Sequence, residues 1–73
     1  MVTLMYRGYL DRTDGTRVAM IENQSTAEIS FYAVESQVAG FQLGAFDRGT
    51  ATLRAGIRQV KLEVGEAVEL EAP

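Results

Sequence analysis

The sequence predicts an all-β fold, a small β-sandwich of two antiparallel sheets made of six or seven short strands, in a single domain spanning residues 1–73. Apolar residues recur at every second position almost throughout, where an amphipathic helix would show a period of about 3.6. Turn-forming clusters interrupt the alternation roughly every ten residues. A chain of 73 residues holds one core and no second lobe, and many short strands around one core close as a sandwich or a small barrel.

Taken in order, Val2, Leu4, Tyr6, Gly8 and Leu10 line one face of a first strand, and Thr3, Met5, Arg7 and Tyr9 line the other. Asp11 to Gly15 supplies a turn, the Asp14-Gly15 pair favouring positive φ. A second strand runs from Thr16 to Glu22, with Val18 and Met20 on one side and Ala19 and Ile21 on the other. Apolar residues on both sides predict a strand covered on both faces. After the polar turn Asn23-Gln24-Ser25, Ala27, Ile29, Phe31 and Ala33 alternate with Glu28, Ser30 and Tyr32, a strand buried on one side. The segment Val34 to Gly40 has no period and reads as the crossover between sheets, with room for one helical turn.

A meander follows. Phe41, Leu43 and Ala45 precede a turn at Asp47-Arg48-Gly49, Ala51 and Leu53 precede a turn at Ala55-Gly56, and Val60, Leu62 and Val64 form the cleanest alternation in the chain. Gly65-Glu66 then leads into a short strand with Val68 and Leu70. The expected core is Leu4, Val18, Met20, Ile29, Phe31, Phe41, Leu43, Leu53, Val60, Leu62, Val64 and Val68. Gly8 and Gly44 stand inside strands, where a glycine marks a bulge, a bend or a close backbone approach.

The composition argues against catalysis. Cysteine and histidine are both absent, which removes disulfides, thiolate sites, the commonest metal ligand and the commonest general base. The expectation is a protein without enzymatic activity, cofactor or metal. Asp11, Asp14 and Asp47 fall in turns, where a short carboxylate bonds its own backbone, and a paired-acid hydrolase needs two acids converging in a cleft. No apolar run reaches the ~18 residues of a membrane span, and the start of the chain lacks a signal-peptide pattern.

Ten acidic against seven basic residues give a net charge of −3, which opposes a phosphate backbone unless the bases cluster. Arg48, Arg54, Arg58 and Lys61 are the best such cluster and define the alternative reading, a small β-barrel that binds a ligand or nucleic acid. Only Phe46 lies near them, whereas single-strand binders rely on aromatic stacking. The arginine spacing of PilZ cyclic-dinucleotide readers is missed as well, since Arg7, Arg12 and Arg17 are each one residue too far apart and Asn23-Gln24-Ser25-Thr26-Ala27-Glu28 ends on glutamate instead of glycine. No nucleic-acid binding is expected.

Read as one pattern, the chain runs Tyr6-Arg7-Gly8-Tyr9-Leu10, Arg17-Val18-Ala19-Met20-Ile21, Phe31-Tyr32-Ala33-Val34, Val38-Ala39-Gly40-Phe41, Ala51-Thr52-Leu53 and Val60-Lys61-Leu62. This resembles the periplasmic homology region shared by the inner-membrane C component of type II secretion and the pilus assembly lipoprotein PilP. The likeness covers nearly the whole chain through short motifs. It departs in the crossover, where Glu35-Ser36-Gln37 stands in place of the family's Gly-Asp. The resemblance implies two small sheets packed face to face, a periplasmic location with an inner-membrane anchor in the full-length protein, and docking onto the N-terminal periplasmic domains of a secretin or onto a neighbouring assembly protein. On the residues themselves, an open first strand could accept a partner's strand, with Arg7 and Tyr9 projecting from its outer face as contacts and Gly8 between them.

Overall fold

A computed structural model describes the whole chain, Met1 to Pro73. It is all-β: β1 (Val2–Asp11), β2 (Arg17–Asn23), β3 (Glu28–Tyr32), β4 (Gln37–Val38), β5 (Phe41–Phe46), β6 (Thr50–Ala55), β7 (Arg58–Glu63) and β8 (Ala67–Leu70). Two four-stranded antiparallel sheets pack face to face. Sheet A has the order β3-β2-β1-β8 and sheet B the order β4-β5-β6-β7. The eighth strand, beyond the six or seven expected, is the two-residue β4, too short to leave an alternation. It lies in the crossover, which carries the chain from sheet A to sheet B with no helical turn.

Turn chemistry sets the hairpins. Asp14 Oδ1 accepts the backbone N–H and the hydroxyl of Thr16 in the β1–β2 loop, and Gly15 takes φ +90° beside it. Asp47 Oδ1 does the same for the N–H groups of Gly49 and Thr50, both at 2.9 Å, in the β5–β6 loop. These hydrogen bonds hold both carboxyls below their ordinary range. Asp11 behaves differently: it leaves the turn chemistry to Asp14 and pairs with Arg17 across the hairpin.

The β4–β5 hairpin is a two-residue loop between Val38 and Phe41 in which Ala39 and Gly40 have φ of 52° and 87°. Positive φ at both central residues is the type I′ pattern, which prefers Asn-Gly. Ala39 therefore carries a left-handed strain of roughly 1–2 kcal/mol. Ala39→Asn is expected to stabilise the domain by about 0.5–1 kcal/mol, read as a raised thermal midpoint. An unchanged or lowered midpoint would refute the turn assignment.

The core lies between the sheets. Sheet A contributes Leu4, Tyr6, Ala19, Ile21 and Leu70, and sheet B contributes Val38, Phe41, Leu43, Ala51, Leu53 and Leu62, with Val60 and Val68 partly buried against them. Three expected core residues are exposed instead: Ile29, Phe31 and Val64. For β3 the reason is register. Tyr32 stands opposite Ala19 and Ser30 opposite Ile21, both inward residues, so Ile29 and Phe31 take the solvent side with Glu22 and Met20. The inward face of β3 is the polar one. Met20 is half-buried and Val18 buried, but both belong to this outer face of sheet A, outside the central cluster. β2 is thus covered by a second layer on one face only.

Both strand-interior glycines mark bulges. Tyr6 stands opposite Ile21 and Tyr9 opposite Ala19, so Arg7 and Gly8 together face Met20, with Gly8 at φ +106°. A second shift between Leu43 and Phe46 contains Gly44.

Candidate functional site

The first strand is not an edge. β2 pairs with it along its length, and β8 pairs with Val2 to Met5 on the other side. Past the Gly65 N–H, which donates to the Tyr6 carbonyl at 2.9 Å, β8 no longer runs beside β1, so an open side survives only on its distal half. The free edges of sheet A are β3 and β8.

Nor do Arg7 and Tyr9 share a face. Side chains directly opposite each other in a sheet point the same way, and the extra residue at Gly8 inverts the alternation. Arg7 stays on the outer face, where its Nη1 meets Glu22 Oε1 at 2.7 Å and lies 3.7 Å from Met5 Sδ. Tyr9 falls on the side of Tyr6, Ala19 and Ile21, half-buried and outside the central cluster. The Arg17 guanidinium covers its ring at 4.0 Å from the centroid. Arg17 is held in turn by both oxygens of Asp11, at 2.6 and 3.2 Å, and this hydrogen bonding is the first cause of the lowered Asp11 pKa. That cluster is closed on itself, its cation already matched by a carboxylate.

The outer face of sheet A is different. The registers align Leu10 with Val18, Met20 with Phe31, and Met5 with Glu22 and Ile29. Leu10, Ile29 and Phe31 remain 46%, 52% and 48% exposed. They stand on one face of the sheet, which also carries the Arg7–Glu22 pair and, opposite Thr3, Glu69. Exposed large apolar residues scattered singly require no explanation, whereas several on one face mark an interaction surface. The surface holds no concave pocket, and the candidate site is an open face.

The four bases of the alternative reading do not come together as one stripe. Arg54 and Lys61 lie on the outer face of sheet B, opposite Gln59 and Thr52 respectively. Arg58, opposite the core-facing Ala55, turns to the other side, 5.4 Å over the Phe41 ring. Arg48 sits in the β5–β6 turn. Arg54 lies along Gly44, where an added Cβ would be 3.6 Å from its Nε, and that nitrogen is buried without a partner.

Ile29 and Phe31 are the site residues that sequence reasoning missed. Their alternation was genuine and its sense was reversed. The available signal was the count of apolar positions on both sides of β2, which exceeds what one core can absorb.

Comparison with family models, with curated proteins and with solved structures finds no match to this chain.

Proposed function

We propose that the domain is a non-catalytic protein–protein interaction module of a bacterial secretion or type IV pilus machine, periplasmic and held to the inner membrane by an anchor in the full-length protein, and that it docks onto the N-terminal domains of a secretin. The machine and the partner come from the sequence resemblance. The observation that carries the interaction role is the uncovered apolar outer face of sheet A, which ends at the open edge of β3. Aromatic and arginine residues dominate the energetics of such contacts, and this face presents Phe31 and Arg7. Gly8 contributes indirectly: its bulge moves Tyr9 to the other face and leaves Arg7 on this one.

The test is a calorimetric titration of secretin periplasmic domains from the same organism with the wild type and with Phe31→Lys, Ile29→Lys, Arg7→Ala and Tyr9→Ala. Phe31→Lys and Ile29→Lys should weaken binding at least tenfold, more than ~1 kcal/mol each. The fold should persist, because both side chains are already half in water. Arg7→Ala should weaken binding less, and Tyr9→Ala should leave it intact. Absent binding, or binding that ignores both lysine substitutions, would overturn the proposal.

A further inference from the structure

We infer that the β3 edge accepts an extended strand from its partner, added antiparallel to sheet A, with apolar residues two apart and a lysine or arginine placed to meet Glu28. The inference rests on the docking role proposed above and names the chemistry of what docks.

The four free edges differ in how they are protected. Soluble proteins blunt sheet edges with short strands, with charges, lysine above all, and with proline. β4 has two residues and β8 four. β7 places Arg58 and Lys61 along its length. β3 has five residues, Glu28–Tyr32, and none of these guards beyond the glutamate at its start. It is also the edge that bears the exposed Ile29 and Phe31. An unguarded edge beside an exposed apolar face is the arrangement of strand addition, in which main-chain hydrogen bonds give affinity and alternate side chains give selectivity.

The charge of the neighbourhood chooses the occupant. From Val18 to Gly40, which takes in β3, its neighbour β2 and the loops around them, the chain has no lysine or arginine, while Glu22, Glu28 and Glu35 fall in that stretch. Glu22 is neutralised by Arg7. Glu28, at the exposed start of the edge, has no ion-pair partner. A second copy of this chain is a poor occupant, because β3 paired with itself about Ser30 sets Tyr32 of the other copy against Glu28 and joins two base-free acidic segments.

Every pairing in sheet A is antiparallel, and antiparallel pairs are the slightly more stable kind. An added strand in that sense has successive residues opposite Tyr32, Phe31, Ser30, Ile29 and Glu28. Those facing Phe31 and Ile29 stand on the outer face beside these two side chains, so they are apolar. The one facing Glu28 is basic. The recognised pattern is any residue, apolar, any residue, apolar, basic.

The probe is the peptide Thr-Val-Thr-Val-Lys, blocked at both ends, titrated into the ¹⁵N-labelled domain and followed by amide chemical shifts. Shifts should concentrate in Glu28–Tyr32 and the adjoining β2. Replacing the peptide's lysine by glutamate should weaken binding about threefold, the range of a cross-strand charge pair, and Glu28→Lys in the domain should reverse that preference. Shifts confined to the β7 or β8 edges, a charge swap without effect, absent binding, or β3 shifts that follow protein concentration alone would each overturn the inference. Peptide binding at β3 by a domain that ignores secretin would overturn the partner reading and support this one, whereas secretin binding lost in Phe31→Lys with no peptide response would do the opposite.

Discussion

Leu62→Ala is expected to lower the unfolding free energy by about 2–5 kcal/mol. Leu62 lies on β7 opposite Ala51, is fully buried, and reaches between the sheets to the central cluster. Its partner directly across the strands, Ala51, is too small to fill the space left by a lost isobutyl group. Voids cost in proportion to what fails to collapse into them. A single core in a chain of this size supplies a net stability of only ~3–5 kcal/mol, so the variant should be substantially unfolded at room temperature. Chemical denaturation followed by circular dichroism measures this directly, and a loss below about 0.5 kcal/mol would show that β7 does not face the core.

The second large effect belongs to Tyr6, which joins the two sheets in two ways. Its ring is fully buried in the central cluster, and its hydroxyl donates to the backbone carbonyl of Asp47 in the β5–β6 loop at 2.6 Å. Burial and the nearby Asp47 charge raise its pKa, which keeps the phenol protonated as a donor. Tyr6→Ala should cost about 3–5 kcal/mol through the lost ring. Tyr6→Phe retains the ring and isolates the hydrogen bond. It should cost about 1–3 kcal/mol, because the Asp47 carbonyl is left without that donor. Equal losses in the two variants, or none in Tyr6→Phe, would contradict this division between packing and hydrogen bonding.

Period-two alternation was enough to read the strands, because turn residues at Gly15, Gly49, Gly56 and Gly65 bracket them and each hairpin is local. The sandwich followed from there. Facing was harder to read wherever a strand departs from one-sided burial. In β3 the apolar side faces water and the side bearing Ser30 and Tyr32 faces inward, a pattern indistinguishable by period from its mirror. In β1 the glycine that marks the bulge was visible at position 8, yet its consequence for parity, moving Tyr9 off the face of Arg7, requires knowing that the extra residue sits between Tyr6 and Tyr9 and nowhere else. Arg7 keeps its expected face because it precedes the bulge. Edge identity was out of reach from sequence, since it depends on where β8 returns.

That return has a consequence for how the domain comes into being. The neighbour of β1 on its outer side is β8, with Val2 opposite Leu70. During synthesis sheet A therefore stays incomplete until β8 has emerged, and Leu70 is the last core residue to arrive. Folding must wait for contacts between the two extremities of the domain, the high-contact-order regime in which small β proteins take milliseconds to seconds. Throughout that interval the proximal half of β1, later sealed by β8, is itself a bare strand edge, so a nascent chain is exposed to misdirected pairing at a place where the finished molecule is not.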